Sequence, residues 1–310
     1  MKFDKLVVVG NPPYQEMDGG HAASAKPLYN VFIETIIDHL APDFFTFIVP
    51  SRWMIGGKGL DDFRERLMSD RRMKSVTHFQ RSEDVFSTVS LTGGVNYFLW
   101  EREYWGPCYF TVGEKAALRF LDERDIVLLD LNANSILTKV LEHSKGSWVS
   151  EHVHARNPFG LRTNFIDWKE EGTPCYARGK ELHYCDPGAF VDRDNILSQW
   201  KVCTPYAYGD YNNAVRSVIP YTLLLPPGTI CTETYLVLRS FETEHDAQAF
   251  DAFVKTKFFR FLLSLRVLTQ HRNTQSFSWI PDMVGLTDPE LYDTFGLNED
   301  ERSYIEGKIR

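Results

Sequence analysis

The sequence predicts an α/β fold: a partial Rossmann-like sheet, followed by a mixed α/β domain. Three observations carry this. An apolar, β-branched run at Leu6-Val7-Val8-Val9 stops abruptly at Gly10-Asn11-Pro12-Pro13, as a buried strand halts where residues cannot continue a ladder. The strand period then alternates with the helical period through about residue 100. From about Ser147 the texture changes to short strands, many aromatics and turn residues.

In order, Phe3–Val9 reads as the first, central strand. After a Gly-rich loop from Met17 to Lys26, Pro27 opens a segment with Leu28, Phe32, Ile33, Ile36, Ile37 and Leu40 at helical spacing. Phe44–Val49 is a second buried strand closed by Pro50, Leu60–Met68 a helix, and Met73–Phe79 a third strand. Thr92-Gly93-Gly94 leads into Val95–Trp100, the last strand of a doubly wound parallel sheet. Glu101–Trp105 is a charged, aromatic exit and Asn134–His143 a connecting helix. The expected domains are 1–146, 147–285 and a helical tail, 286–310. In the second domain Asp246–Thr269 reads as one long helix.

With 43% hydrophobic and 25% charged residues in 310, the chain has the composition of an ordinary folded protein. No run reaches the roughly 18 to 20 apolar residues of a membrane span. The start has no signal- or transit-peptide character, so a cytoplasmic location is expected. Five scattered cysteines lack the close spacing of metal or redox sites, so reduced structural thiols and no metal are expected. A net charge of -8 argues against a protein wholly wrapped on nucleic acid. Binding must come from local charge.

In open α/β sheets ligands sit at the carboxyl ends of strands, where Asn11-Pro12-Pro13-Tyr14 and Pro50-Ser51-Arg52-Trp53 fall. The first tetrapeptide suits one chemistry. The exocyclic amine of a nucleobase is a poor nucleophile because its lone pair is delocalised into the ring. Two acceptors aimed at its N–H bonds, the Asn11 side-chain oxygen and the Pro12 carbonyl, pull it towards a pyramidal, reactive geometry. Pro12 and Pro13 fix the turn and remove competing donors. Tyr14 offers a face on which an extruded base stacks. The plainer alternative is a strand ending in a proline turn with a tyrosine packed beneath it.

These residues resemble the gamma-type adenine-N6 DNA methyltransferases of restriction-modification systems, in particular their combined restriction-modification methylase branch. Phe3–Gln15 resembles that family's catalytic strand and loop, and Phe45–Trp53 its strand ending in a Pro-Ser/Ala-Arg turn. Asp84-Val85-Phe86 with Gly93-Gly94-Val95 resembles the strand entry that carries a second aromatic. Residues 288–310 are similar to the branch's closing segment. The resemblance implies catalytic and base-clamping roles for Asn11, Pro12, Pro13 and Tyr14, and a base-stacking role for Phe86. A core phenylalanine is the alternative for Phe86. Arg52 and Trp53 are placed at the pocket rim, or serve as helix cap and packing.

The resemblance also implies S-adenosylmethionine as methyl donor, with a site this sequence leaves incomplete. The family's donor-binding glycine loop and acidic strand ends precede the tetrapeptide, whereas ten residues precede Asn11 here, and nothing after Pro281 reads as strand, glycine loop and helix. Gly56-Gly57-Lys58-Gly59 follows the wrong strand and reads as a flexible turn. Leu6–Val9 is then expected to be an edge. A donor-binding polypeptide, a second copy of the chain or the rest of a longer protein is expected to cover it.

The second domain offers three loops with the amide, aromatic and arginine content of double-stranded DNA recognition: 156–162 with Arg156 and Arg162, 206–216, and 270–275 with His271, Arg272 and Asn273. Residues 252–281 contain Lys255, Lys257, Arg260, Arg266 and Arg272 and, before Pro281, no acid. This stretch either faces phosphates or is a solvated helix surface. The layout resembles the family's target-recognition domains. The expected function is therefore methylation of adenine N6 in DNA within a restriction-modification system. A DNA-binding module without activity, and methylation of a protein glutamine or RNA, are the alternatives.

Overall fold

In the computed structural model, residues 4–16, 26–87, 91, 93–208, 215–267 and 271–310 are described, and the chain divides into two compact units, Met1–Asn132 and Ala133–Arg310. The expected start of the first strand at Phe3, most of the Met17–Lys26 loop, Thr92, the centre of the 206–216 loop and residues 268–270 lie outside the described residues.

The first unit is built on one six-stranded sheet: β1 (Val7–Gly10), β2 (Phe44–Pro50), β3 (Met73–Phe79), β4 (Val95–Glu101), β5 (Cys108–Val112) and β6 (Lys115–Arg119), in the order β1-β2-β4-β3-β5-β6. Every other residue of β2 is buried, which places Phe45, Phe47 and Val49 in the core. Two helices supply the other wall. One is α1 (Tyr29–Thr35), continued by a π-helical turn Ile36–Leu40, and the other is α2 (Asp61–Ser69), which contributes Phe63 and Leu67.

The sheet is mixed, not parallel throughout. β1 and β2 are parallel, as are β3 and β5, but β4 inserts antiparallel between β2 and β3, and β6 is antiparallel to β5. The reversal before β4 comes from Gly93 and Gly94, at φ of 91° and 73°, a region that glycine enters without steric cost. A Cβ at Gly94 would stand 2.0 Å from the Phe79 carbonyl oxygen, so no other residue fits there. The β5–β6 hairpin was not expected. Its tight turn, Gly113-Glu114, lacks the usual Asn-Gly signal, and Lys-Ala-Ala-Leu-Arg carries little strand propensity.

Among the described residues β1 pairs with β2 alone, so it is an edge strand rather than a central one, with Val7 56% and Val9 72% exposed.

The second unit has two three-stranded sheets. One is antiparallel, in the order β10 (Leu223–Leu225), β9 (Trp200–Pro205), β12 (Tyr235–Phe241); the other runs β11 (Ile230–Cys231), β7 (Thr173–Tyr176), β8 (Leu182–Cys185). They share a core that includes Phe159, Leu161, Cys203, Leu225 and Tyr235. All five cysteines of the chain are free and buried.

The expected helix over Asp246–Thr269 is two helices, α4 (Glu244–Val254) and α5 (Lys257–Arg266). The Thr256 hydroxyl accepts the Phe259 N–H at 3.2 Å and starts the second helix, and the break sets Phe253 edge-on to Phe259. The units divide at Asn132/Ala133, ahead of the expected 146/147 boundary. The reason lies in α3 (Asn134–His143), whose Lys139 donates to the Gly296 carbonyl and to Glu301. Residues 286–310, α6 (Asp288–Thr294) and α7 (Glu299–Lys308), belong to this unit as well: the Arg216 N–H bonds the Lys308 carbonyl, and Phe258 stacks on Phe295 at 5.1 Å. No helix among the described residues is long and apolar enough to cross a membrane.

Candidate functional site

The candidate residues of the first unit follow the carboxyl ends of β1 and β2. Asn11 and Pro13 are exposed, Pro12 is buried and Tyr14 is half-buried. The turn is therefore anchored by one proline and exposed on its asparagine side. Main-chain bonds staple it to the start of α1: Leu28 N–H to the Tyr14 carbonyl at 3.1 Å, and Glu16 N–H to the Lys26 carbonyl at 2.9 Å. Burial pushes the Tyr14 phenol above its ordinary pKa, opposed by the nearby Asn11 side chain, so it is a neutral aromatic surface at physiological pH.

Three buried polar atoms near this end have no hydrogen-bond partner among the described residues: Asn30 Oδ1, Arg52 Nε and Trp53 Nε1. Each such atom costs about 1–3 kcal/mol if nothing satisfies it. Tyr29 lies close enough to Arg52 for each to feel the other's charge. Burial raises the phenol well above its usual range and lowers the guanidinium.

Beneath the crest lies a buried polar trio that periodicity did not reveal. Ser51 Oγ and His78 Nδ1 are 2.8 Å apart, and Asn96 Nδ2 donates to Ser51 Oγ and to the Val49 carbonyl, both at 3.2 Å. Each is at most 2% exposed. Burial lowers the His78 pKa to about 4, so the ring is neutral. The trio ties β2, β3 and β4 together just ahead of half-buried Arg52 and of Trp53, which is fully buried in the core and is a packing residue, not a pocket-rim one. The sequence signal was a histidine and an asparagine at inward positions of otherwise apolar strands.

Phe86 is half-buried, on a loop roped to the same crest. Ser82 Oγ accepts the Leu91 N–H, the Gly94 N–H bonds Leu91, and the Ser51 N–H bonds the Gly94 carbonyl.

In the second unit the three loops expected to contact DNA converge. The Arg156 guanidinium lies 4.4 Å from the Tyr206 ring centre, and Tyr206 lies 5.2 Å from His271. Glu233 pairs with Arg156 at 3.2 Å and also accepts the Thr163 N–H, which fixes the 156–163 loop. Arg162 and His271 are exposed.

The other basic candidates are engaged within the protein. Arg272 is 1% exposed and donates to the Pro205 and Val218 carbonyls, so it is a structural cation and not a DNA contact. Asn273 caps a short turn by accepting from Ser276. Lys255 pairs with Asp251 and Lys257 with Glu306, both at 2.6 Å. Only α7's acids, remote in sequence, neutralise Lys257, which the local count of charge missed.

The methyl donor does not fit what is described here. Among the described residues, no glycine loop joins a strand beside β1 to a helix. The only strand paired with β1 is β2, whose glycine turn at 56–59 follows the Ser51–Met54 turn.

Residues 1–86 match the family model described as Eco57I restriction-modification methylase. A Mycoplasma pneumoniae protein described as an uncharacterized adenine-specific methylase is 35% identical over 109 residues, which cover 34% of this chain and 25% of that one. The type IIL restriction-modification enzyme MmeI, solved in complex with DNA, is 10% identical with a TM-score of 0.51, over 89% of this chain and 46% of that chain. A DrdV–DNA complex gives a TM-score of 0.43 at 9% identity, over 90% of this chain and 42% of that chain. The MmeI likeness shows the fold. The chain spans a quarter of the length of the curated relative and under half of MmeI.

Proposed function

We propose that this chain, whose residues 1–86 match the Eco57I restriction-modification methylase family, positions adenine for N6 methylation in double-stranded DNA. The observation that carries the reading is the open Asn11-Pro12-Pro13-Tyr14 turn, anchored by buried Pro12 at the end of an apolar strand.

An adenine extruded from the duplex stacks on Tyr14, with Phe86 as the opposing aromatic. Its amino group donates one N–H to Asn11 Oδ1 and the other to the Pro12 carbonyl. These acceptors localise the lone pair on nitrogen and align it for direct attack, without a covalent enzyme intermediate. S-adenosylmethionine supplies the methyl group. Its binding half sits on the exposed edge of β1, whether on another polypeptide, on a second copy or elsewhere in a longer protein. The Arg156–Tyr206–His271 cluster, with Arg162, faces the duplex; Arg156 and His271 present donors suited to base edges.

The test has two parts. Calorimetry of this chain with S-adenosylmethionine is expected to show no binding, with or without DNA. A mixed-sequence duplex carrying 2-aminopurine in place of adenine is expected to bind with a fluorescence change that Tyr14→Ala abolishes. Once the donor-binding half is supplied, Asn11→Ala is expected to lower methyl transfer by roughly 10²–10³-fold with DNA affinity retained. Binding without any fluorescence change would favour a DNA-binding module with no activity. Transfer to a glutamine or to RNA, but not to DNA, would overturn the substrate assignment.

A further inference from the structure

We propose that Arg52 and the glycine turn 56–59 form a phosphate-binding element that holds the DNA backbone beside the extruded base; this rests on the adenine-methylase reading above.

Arg52 differs from its neighbours. Arg64, Arg66, Arg71, Arg72, Arg102 and Arg119 each reach a carboxylate within 4 Å. Arg52 alone of these has no acidic partner among the described residues; its Nε, like those of Arg64 and Arg119, is buried without a hydrogen bond. A half-buried, unpaired guanidinium is costly to maintain. An incoming anion satisfies it.

The turn supplies the rest of the element. Gly56, Gly57, Lys58 and Gly59 all have positive φ, between 55° and 84°. The Leu60 N–H closes a turn on the Gly57 carbonyl, with both central residues left-handed as in a type I′ turn. A Cβ at Gly56 would collide with Arg64 and Asp61, and one at Gly57 would stand 3.7 Å from Arg52 Nη2. The turn therefore lies against the Arg52 guanidinium and keeps that side free of side-chain bulk.

The main-chain N–H groups of Lys58 and Gly59 make no hydrogen bond among the described residues, and the exposed Lys58 ammonium has no ion pair there. Asp61, the nearest acid, is occupied by Arg64 and the Gly57 N–H. What remains is two cations and two free amides, all donors. Such a set selects an acceptor-only anion, as backbone nests and arginines do for phosphate.

Position selects among anions. Arg52 interacts with Tyr29, whose neighbour Leu28 is bonded to Tyr14. The element follows β2 as the tetrapeptide follows its parallel neighbour β1, so both lie at the same end of the sheet, the side on which an extruded nucleotide would keep its own phosphodiesters. The carboxylate of the methyl donor has the same chemistry and is separated by the test.

The experiment is a salt titration of binding between the full chain and a fluorescein-labelled mixed-sequence duplex, followed by anisotropy. Each lost phosphate contact flattens the slope of log K against log salt by about 0.9. Arg52→Gln and Lys58→Gln are each expected to flatten it by that amount, and Arg52→Lys to keep most of it. Lys145→Gln is the control.

Wild-type slopes in both Gln variants would overturn the element while leaving the adenine-methylase reading intact. No DNA binding by the wild type would instead remove the reading on which the element rests. Calorimetry with S-adenosylmethionine completes the test. Donor affinity that falls in Arg52→Gln with an unchanged salt slope would assign the site to the carboxylate and overturn the phosphate. Lys58 is exposed, so its variant carries the test even if Arg52→Gln fails to fold.

Discussion

Asn11, Arg156 and Arg272 have similar credentials as polar side chains beside turn residues, yet burial gives them different roles. Arg272 is sealed in and bonded to two main-chain carbonyls, and a cavity would follow its removal. Arg272→Ala is expected to lower stability by about 3–5 kcal/mol in urea unfolding. Arg156 is half exposed, and its bond to Glu233 is screened by solvent. Arg156→Ala is expected to leave the urea midpoint nearly unchanged and to weaken DNA binding in anisotropy.

His78 carries a pH dependence. Its folded pKa of about 4 lies below the unfolded value near 6.5. Across that window the unfolded chain binds a proton that the folded chain refuses, so stability rises with pH. The contribution is fully present above about pH 6.5 and is lost as pH falls towards 4; it amounts to about 3 kcal/mol. His78→Gln is expected to flatten this part of the profile. An unchanged difference between acidic and neutral urea midpoints would contradict it. The stack of Arg156, Tyr206 and His271 was only partly legible, because its members are 50 and 65 residues apart in sequence and no local period links them.

At the scale of elements, β1 concentrates the consequences. Among the described residues, this strand of four residues has one bonded neighbour and leaves a row of unpaired main-chain groups beside exposed Val7 and Val9. Val9→Lys changes an outward side chain on that edge. Stability is expected to stay within about 0.5 kcal/mol by thermal melting. Association through the edge, measured by sedimentation or by pull-down of the donor-binding half, is expected to weaken at least tenfold. Equal association in wild type and variant would remove β1 as the docking edge. The element types were readable because β2, β3, β4, α2 and α3 have unambiguous periods. The antiparallel insertion of β4 was not, because a pair of glycines signals a turn but not the neighbour to which the next strand will bond. The split of α4 from α5 escaped for a similar reason: Lys255-Thr256 interrupts the helix without glycine or proline, and the Thr256 cap outweighs continuity.

For the whole molecule, the unit boundary is the testable matter. α3 buries Ile136, Leu137 and Val140 completely and is bonded to the 296–301 segment. Each such side chain contributes about 1.5–3 kcal/mol on burial. A fragment comprising 133–310 is therefore expected to melt cooperatively, at least 10 °C above one comprising 147–310, since ~1 kcal/mol shifts the midpoint by about 2–4 °C in a chain of this size. Equal melting temperatures would return α3 to the first unit.

By itself the sequence determined the α/β character, the positions of most strands and helices, and the Asn-Pro-Pro-Tyr turn at a strand end. Those features are written in local periods and in residues whose backbone chemistry acts within a few positions. Only the tertiary structure decided which basic residues remain free. It buried Arg272, paired Lys257 with Glu306 and, among the described residues, left Arg52 without an acid. Charge neutralisation and burial depend on contacts between distant segments, and no local pattern encodes them.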